Sequence, residues 1–351
     1  MTAKTRTIRF GVIGCGVIAY WAHLRELKHL RNARLVAAAD PNAAARQRAS
    51  RLAHIPVYEH AAELLERDDI DAVVISAPTH LHAELAVAAA KARKHFYLEK
   101  PIASTLQDAR RVIEAAREGG VAAAVGFNRR LHPVFEQARA LLTAGRIGQV
   151  RAVLSAFCEP ASPGGMPDWK KQRPTGGGVL LDLASHHVDM VRWFLNCEVT
   201  EIDARLTSEV SDDDNAWLRL GMSDGTEVSS FFSFQAGLAD FLEFIGERGT
   251  LRVDRHRRSL SLHLARRFGY GVRNSPVFLG REVLAYQLVR LLRPSYDPSY
   301  GRALAAFVEL IDGGLPRAAT LDDGRRSLET VLAAEEAARA RRPMTMIPAR
   351  D

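Results

Sequence analysis

The sequence predicts an α/β protein whose N-terminal part folds as a doubly wound parallel sheet. Three observations support this fold class. Short apolar runs alternate with helical stretches over the first 127 residues, the first run ends in a glycine-rich loop, and the second run ends in an aspartate. Alternation at this spacing is typical of parallel strands that are covered by helices on both faces.

The individual elements follow from the apolar runs and from the turn and capping residues that bound them. The segments predicted as strands are 8–14, 34–40, 70–78, 95–101 and 121–127. Those predicted as helices are the residues after the glycine-rich loop to about Leu30, 61–68, 81–94 and 104–120. The last helix illustrates the reasoning, because Ser104 is a favourable N-terminal cap and glycine follows at the helix end.

Length and composition indicate a globular protein of two domains. The chain has 351 residues, and none of its apolar stretches approaches the roughly 20 residues of a membrane span. Its N-terminus lacks the apolar segment of a signal peptide. Three cysteines, Cys15, Cys158 and Cys197, have neither paired nor metal-ligand spacing. We therefore predict a cytoplasmic protein without disulfides and without a membrane partner.

Arginine dominates the formal net charge of +7 and is concentrated late in the chain. The stretches RVDRHRR (252–258), ARRFGYGVR (265–273) and LVRLLRP (288–294) either form a surface for an anionic partner or are solvated faces. No zinc-finger or RNA-binding signature accompanies them, so we favour solvated faces and predict no nucleic-acid partner.

The loop after the first strand has the pattern G-x-G-x-x-A. In GCGVIA, Gly14 permits the tight turn, Gly16 lets a pyrophosphate approach the backbone, and Ala19 lets the helix pack close to the strand. The N-terminus of the following helix, at Val17 and Ile18, supplies N–H groups for phosphates. Because the loop joins a strand to a helix at the start of the alternation, it predicts a dinucleotide-binding Rossmann domain. The alternative is that the glycines serve only the turn.

Residues at two further strand ends are predicted to bind the cofactor. Asp40 ends the second strand, where this fold places a carboxylate that accepts hydrogen bonds from ribose hydroxyls and repels a 2′-phosphate. NAD is therefore favoured over NADP, although Arg46 keeps NADP possible, and a turn at Asp-Pro-Asn is the other interpretation. Ala77 lies near the end of the third predicted strand, and Thr79, His80 and His82 follow it; these residues either border the cofactor or cap the next helix.

A lysine stands at the carboxyl end of the next predicted strand, in the sequence LEKP. Ligands bind at this edge of a doubly wound sheet, so Lys100 is either placed for chemistry or solvated beside a turn. Glu99, directly before it, would pair with a cofactor group or with Lys100 itself.

A second group of polar residues occurs in DLASHHVD, which follows a run of three glycines. Asp182 and His186 are four residues apart and share one face of a helix. A histidine suits the transfer of a hydroxyl proton because its unperturbed pKa lies near neutrality, and a carboxylate can orient its ring. Taken alone, the pair of His186 and His187 is more often structural or part of a metal site, but further ligands are not evident.

Four motifs, taken in this order, resemble the Gfo/Idh/MocA oxidoreductases, which include glucose-fructose oxidoreductase, inositol dehydrogenases and sugar ketoreductases. They are GCGVIA at 14–19, LEKP at 98–101, GFNRRLHP at 126–133 and GGGVLLDLASHHVDM at 176–190. The resemblance implies a Rossmann domain at 1–127 and, at 128–351, an α/β domain with a large, mostly antiparallel open sheet. The β-like runs that fit this sheet are 150–158, 217–234 and 250–254.

The resemblance also implies roles for the site residues. Lys100 would contact the reacting oxygen beside the nicotinamide, and His186, four residues after Asp182, would be the acid-base group. The further residues expected to contact substrate are Asn128, Arg129 and Trp169. The tryptophan among them is equally suited to core packing. The family requires no metal, and its second sheet implies a homodimer or a homotetramer.

These features predict an NAD(P)-dependent dehydrogenase or ketoreductase for a secondary hydroxyl of a sugar, sugar derivative or cyclitol, whether free, phosphorylated or nucleotide-linked. Two alternatives stay open. Some members of the family use bound NAD for transient oxidation followed by glycoside elimination, and some relatives sense dinucleotides without catalysis. The presence of Lys100, Asp182 and His186 argues against the second alternative.

Overall fold

The chain divides into two compact units. The computed structural model describes residues 6–160, 165–257, 259–265, 272–275, 277, 279–293 and 296–346. The first unit comprises Met1–Leu131 and Asp297–Leu328, and the second comprises His132–Tyr296 and Glu329–Asp351. The pattern of strands and helices in the sequence does not predict that residues after 296 belong to the first unit. The domain boundary after residue 127 stays a prediction.

The first unit contains a six-stranded sheet in which every neighbouring pair is parallel. Its strands are β1 Ile8–Ile13, β2 Ala33–Ala39, β3 Val57–Tyr58, β4 Ala72–Ile75, β5 His95–Leu98 and β6 Ala123–Val125. Their order across the sheet is β3-β2-β1-β4-β5-β6. The predicted doubly wound sheet is confirmed, and its order reverses between β1 and β4, where such sheets bind ligands beyond the carboxyl ends of their strands.

Helices connect the strands of this sheet. They are α1 Leu24–His29, α2 Ala43–Ala53, α3 Ala61–Leu65, α4 His82–Lys91 and α5 Leu106–Gly119. The cap of α5 lies one residue later than predicted, because Thr105 accepts a hydrogen bond from the backbone N–H of Asp108. The predicted end is confirmed, since Gly120 closes the helix in the left-handed conformation with a φ of 62°.

Ion pairs stabilise the edge of the first sheet at which its parallel strands begin. The carboxylate of Asp71, just before β4, accepts hydrogen bonds from the backbone N–H of Arg9 in β1 at 2.8 Å and from its guanidinium at 2.9 Å. These bonds from Arg9 lower the pKa of Asp71 to about 2, against the opposing effect of burial. The charged carboxylate therefore stabilises the folded state.

We expect Asp71→Asn to lower the free energy of unfolding by about 2 kcal/mol at neutral pH, the equivalent of the pKa difference. Because the folded pKa lies below the unfolded one, this stabilisation is complete above about pH 4 and disappears as the pH falls to about 2. Urea unfolding of both proteins at several pH values measures the difference. Asp68→Asn, at an exposed neighbouring position, is the control. A difference that does not shrink on acidification would contradict the assignment.

The second unit contains a nine-stranded sheet of order β14-β13-β12-β11-β7-β10-β9-β8-β15. Its strands are β7 Val150–Cys158, β8 Val199–Thr207, β9 Asn215–Met222, β10 Glu227–Ser233, β11 Ala239–Gly246, β12 Gly249–Asp254, β13 Ser259–Ala265, β14 Val272–Ser275 and β15 Met344–Thr345. Neighbours are antiparallel except for the parallel pair β7 and β10 among the described strands. The predicted mostly antiparallel sheet is confirmed, and so are its three predicted runs of strand.

The helices of the second unit are α6 Pro133–Thr143, α7 Asp168–Lys171, α8 Ser185–Leu195 and α9 Arg281–Leu292. In the described part of the chain, no helix combines the length and the apolar character that a bilayer crossing requires. Of the three basic stretches, residue 258, residues 266–271 and residue 294 lie outside the described residues.

Two late helices, α10 Ser299–Ile311 and α11 Leu321–Ala340, follow in the chain. The first of them completes the core of the first unit. Phe307 is fully buried and contacts the rings of Phe10 in β1 and Tyr97 in β5, with centroids 6.2 and 5.9 Å apart. Because these residues are far apart in the sequence, the periodicity of strands and helices does not predict their contact.

Candidate active site

The glycine-rich loop has the geometry that its sequence predicts. Gly14 has a φ of 90°, and a Cβ atom on it would lie 2.7 Å from the backbone of Ser76 at the end of β4. A Cβ on Gly16 would meet no atom within 4 Å among the described residues. The loop therefore packs against the sheet at Gly14 and leaves free space beside Gly16, as a pyrophosphate-binding loop requires.

The helix that follows the loop begins with a π-helical turn at Ala19–His23 before it continues as α1. Such turns are rare and are frequent at functional sites. The turn places the fully buried ring of His23 against the end of β5, with its Nε2 2.7 Å from Oε1 of Glu99. This contact joins the segment that follows β1 to the segment that follows β5.

Asp40 organises the end of β2. Its Oδ2 accepts a hydrogen bond from the backbone N–H of Cys15 in the glycine-rich loop, and its Oδ1 accepts one from the N–H of Asn42, both at 2.7 Å. Asp40 thus forms the turn and orders the loop, and its binding of the ribose stays a prediction. Arg46 donates to the carbonyl of Asp40 at 2.9 Å and pairs with Glu59 at 3.1 Å. Burial, followed by the charge of Asp40, raises the pKa of Cys15 to about 12, so its thiol is uncharged.

The end of β4 is tied to the loop and to the segment after β5. Ser76 donates a hydrogen bond to the carbonyl of Gly14 at 2.9 Å. His82 is buried, with Nδ1 2.7 Å from the carbonyl oxygen of Pro101 and Nε2 2.9 Å from that of Ala77. Burial lowers the pKa of His82, against the effect of both carbonyls. This geometry favours a structural role for His82, which fixes the backbone on either side of the predicted cofactor site.

Lys100 lies half-buried directly after β5, and its peptide bond to Pro101 is cis. The preceding Glu99 is buried, and its Oε2 accepts a hydrogen bond from the backbone N–H of Lys100 at 3.3 Å. Gly126 makes room for this carboxylate, because a Cβ there would lie 2.9 Å from Oε2. Glu99 therefore holds the backbone of Lys100 and the ring of His23 in fixed positions. Thr79 is buried in a short 3₁₀ turn at the same edge of the sheet.

Asn128 and Arg129, predicted to contact substrate, lie in a buried 3₁₀ turn after β6. The amide of Asn128 donates a hydrogen bond to Oγ of Ser299 at 2.7 Å, which ties the turn to the start of α10. The neighbouring Arg130 forms an ion pair with Asp323 at 3.0 Å. Asn128 thus ties the turn to α10 within the first unit, and substrate contact by Asn128 and Arg129 stays a prediction.

In the second unit, Asp182 lies in another π-helical turn, Leu180–Ala184, which leads into α8. Its Oδ2 accepts a hydrogen bond from Nζ of Lys170 at 2.7 Å. Burial alone would lower the pKa of Lys170, but the carboxylate of Asp182 raises it above its ordinary value, so the ammonium stays charged. Sequence reasoning missed Lys170, because only the folded chain brings it to Asp182.

The glycine run before this turn brings the two residues together. A Cβ on Gly177 would collide with the carbonyl oxygens of Lys170 and, at 2.7 Å, of Gln172. The prediction that these glycines permit close backbone approach is therefore confirmed for Gly177. Trp169 is half-buried in α7, and Nζ of Lys170 lies 5.6 Å from its ring centroid.

The neighbouring histidines of α8 point to different environments. His186 is half-buried, and its ring centroid lies 6.2 Å from that of Phe157. His187 is fully buried against the sheet, with Nδ1 3.1 Å from Oγ of Ser155 and Nε2 3.1 Å from Oδ1 of Asp240. The more accessible ring is thus the one four residues after Asp182.

Two family models match the chain. A model described as an oxidoreductase family with an NAD-binding Rossmann fold matches residues 8–127, and one described as a GFO/IDH/MocA C-terminal domain matches residues 135–252. The chain belongs to the Gfo/Idh/MocA family of oxidoreductases. The predictions of the family, of oxidoreductase activity and of a nicotinamide cofactor are confirmed.

Relatives of known name extend over most of this Gfo/Idh/MocA chain. A myo-inositol 2-dehydrogenase of Thermotoga maritima is 28% identical over 349 residues, which are 97% of this chain and 98% of the relative. A dTDP-3,4-didehydro-2,6-dideoxy-α-D-glucose 3-reductase of Actinomadura kijaniata is 33% identical over 258 residues, 72% of this chain and 76% of the relative. The crystal structure of a putative myo-inositol dehydrogenase from Sinorhizobium meliloti shares the fold with a TM-score of 0.79, at 27% identity, covering 97% of this chain and all of that one.

The two glycines of this Gfo/Idh/MocA loop give a matched pair of substitutions. We expect Gly16→Ala to weaken NAD binding at least about tenfold and to change the free energy of unfolding by less than about 0.5 kcal/mol, since its Cβ enters open space that the pyrophosphate approaches. Gly14→Ala should destabilise the protein by about 1–3 kcal/mol, because an alanine at this φ is strained and meets Ser76.

Urea unfolding without cofactor and fluorescence titration with NAD separate the two effects. If Gly16→Ala binds NAD as tightly as the wild-type protein does, the pyrophosphate does not approach this glycine.

Proposed function

We propose that the protein is an NAD-dependent dehydrogenase or ketoreductase that acts on a secondary hydroxyl or ketone of a sugar, sugar derivative or cyclitol. The observation that carries this proposal is the placement of Lys100 at the carboxyl end of β5, in the sheet whose first loop is open at Gly16. The buried carboxylate of Glu99 fixes the backbone of Lys100. A lysine that is only solvated beside a turn does not require such a contact.

The residues at the carboxyl edge of the first sheet would hold NAD. They are Gly14, Gly16, Val17, Ile18, Asp40, Ala77, Thr79, Glu99 and Lys100, with His82 fixing the backbone of Ala77 from behind. When bound, NAD supplies the group that accepts or returns a hydride. The N–H groups at the start of the helix after Gly16 bind phosphate, and Asp40 binds ribose.

The remaining chemistry belongs to side chains of the chain itself. The ammonium of Lys100 donates a hydrogen bond to the substrate oxygen and stabilises the negative charge that develops on it. His186 takes the hydroxyl proton during oxidation and returns it during reduction. Asp182 orients the substrate or the imidazole, and Lys170 keeps this carboxylate charged and in place.

The substrate class is proposed from the relatives and from the second unit. The named relatives act on a cyclitol and on a dTDP-linked sugar, both of which carry secondary hydroxyl groups or ketones. The half-buried Trp169, beside the ammonium of Lys170, offers an apolar face for a sugar ring and a cation for an anionic substituent. Asn128 and Arg129 are the further residues proposed to contact substrate.

The structure supports NAD as the preferred cofactor. Both oxygens of Asp40 already accept backbone hydrogen bonds, and Arg46, the nearby cation, is paired with Glu59. We expect the wild-type protein to bind NAD at least about tenfold more tightly than NADP, and Asp40→Ser to narrow this ratio. Fluorescence titration with both cofactors measures the ratio within each protein, which removes any effect on folding. Tighter binding of NADP by the wild-type protein would overturn the assignment.

The test of the function is turnover with a panel of inositols, sugars and nucleotide sugars in the presence of NAD, followed by NADH absorbance. We expect at least one substrate to give one NADH for each ketone formed. Release of an aglycone without net NADH would instead indicate a glycosidase with transient oxidation. NAD binding without turnover of any substrate in either direction would indicate a regulator.

A further inference from the structure

The helix α9 of the second unit, with the sequence REVLAYQLVRLL, carries apolar side chains on two of its sides. Val283 and Tyr286 are buried on its inner side, where the ring of Tyr286 lies 5.0 Å from that of His132. Its outer side exposes leucines to an unusual degree: Leu284 is 50% exposed, Leu288 66%, Leu291 79% and Leu292 88%. A contiguous row of exposed leucines of this kind marks an interaction surface, so we expect another molecule to cover the outer side of α9.

The outer leucines have the spacing of a helix-pairing seam. Leu284, Leu288 and Leu291 follow one another at intervals of four and three residues, which is the spacing of alternating a and d positions in a coiled coil. The stripe is narrow, as a seam for one partner helix is, and Leu292 and Val289 widen it on one flank.

Charges lie along that same flank at opposite ends of the helix. Glu282 and Arg293 are exposed and are eleven residues apart by their numbers, close to three full turns. When a two-fold axis pairs two copies of α9 face to face and antiparallel, the same flank of both copies lies on the same side of the pair. This arrangement therefore brings Glu282 of one copy beside Arg293 of the other, twice in each pair.

We propose that α9 is a self-association surface, whose occupant is the α9 helix of a second copy of this chain, packed antiparallel through Leu284, Leu288 and Leu291. An anionic lipid surface would also cover leucines flanked by arginines. Such a surface would repel the carboxylate of Glu282, and it does not explain the regular spacing of the leucines. The proposal does not depend on the redox chemistry.

Charge substitution within the seam tests the proposal. Leu288→Glu with Leu291→Glu places four carboxylates in each paired seam, so we expect the dissociation constant of the assembly to rise on the order of 100-fold or more. Sedimentation equilibrium over a range of concentrations measures it. Leu315→Glu is the matched control, because it substitutes an 86% exposed leucine elsewhere and should leave the dissociation constant unchanged.

Charge reversal and cross-linking identify the partner. Glu282→Arg and Arg293→Glu should each weaken association, and the double variant should restore it. Leu288→Cys should cross-link into dimers with a bis-maleimide that spans about 8–10 Å, the separation of packed helices, and Leu315→Cys should not. The proposal is overturned if the seam variant associates like the wild-type protein and Leu288→Cys stays uncross-linked, or if the wild-type protein binds anionic vesicles through these leucines as a monomer.

Discussion

Replacing Lys100 with methionine is expected to lower kcat by about 10²–10⁴-fold and to change the dissociation constant of NAD by less than about threefold. The substitution keeps the apolar stem of the side chain and removes the ammonium that stabilises the developing charge on the substrate oxygen. The buried Glu99 still holds the backbone at this position. His186→Asn should lower kcat over the same range, because an amide cannot exchange a proton near neutral pH.

Two matched controls accompany these variants. Lys91→Met removes an exposed ammonium from the end of α4, and His256→Asn replaces an exposed imidazole in the turn after β12. Steady-state kinetics with the best substrate of the panel should find both controls at the wild-type rate. If Lys100→Met and His186→Asn also keep that rate, the reaction does not use these residues. An increase in KM with an unchanged kcat would assign them to binding alone.

Asp182→Asn separates two roles of the carboxylate. If Asp182 only orients its neighbours, the loss in kcat should be smaller than for His186→Asn, since the amide still occupies the same volume. The ion pair with Lys170 at 2.7 Å would then explain part of the loss, and Lys170→Met should reproduce that part. A loss in Asp182→Asn that exceeds the loss in Lys170→Met and appears in KM would indicate direct contact with substrate.

Much of the first unit is predictable because its signals are local. An apolar run followed by G-x-G-x-x-A fixes β1, the turn at Gly14 and the start of the helix, all within a dozen residues. Asp40 is recognisable for the same reason, although only the structure shows that its oxygens accept the N–H groups of Cys15 and Asn42. The strand β3, with two residues, and the helix α2 give weaker patterns and were not predicted.

The parts that sequence reasoning missed depend on contacts between distant residues. His23 gains its importance from Glu99, 76 positions later, and Lys170 gains its importance from Asp182 across the glycine run. The residue patterns that mark the start and end of a helix do not predict the π-helical turns that position His23 and Asp182. The sequence does carry two signals for these pairs: a histidine one helical turn after the dinucleotide loop, and a lysine beside the predicted substrate tryptophan.

The second large effect is expected in the core of the second unit. Asp240 is fully buried, and its carboxylate lies between the ring of His187 at 3.1 Å and the guanidinium of Arg255 at 3.4 Å. On the other side of the ring, Ser155 continues the network to Ser230 at 2.8 Å. Asp240→Asn keeps the volume, but it removes the negative charge that pairs with Arg255 and changes the hydrogen bond to His187. We expect the free energy of unfolding to fall by about 3–5 kcal/mol, as when one member of a buried ion pair is removed.

Asp203→Asn is the matched control, because it makes the same substitution at an exposed position of β8 in the same sheet and should change the free energy of unfolding by less than about 0.5 kcal/mol. Urea unfolding followed by circular dichroism measures both variants. The combination of Asp240→Asn with His187→Leu should destabilise less than the sum of the two single changes, since both remove the same contact. Additive losses would show that Asp240 and His187 do not interact.

The same network decides between the two histidines of α8. If His187 has only a structural role, His187→Leu should lower the free energy of unfolding while the protein that remains folded at low temperature keeps its kcat. His186→Asn should show the converse, a loss of kcat with little change in stability, because its ring is half-buried outside the Asp240 network. If His187→Leu abolishes turnover in folded protein and His186→Asn does not, the acid-base group is one residue later than proposed, and the spacing from Asp182 carries no mechanistic meaning.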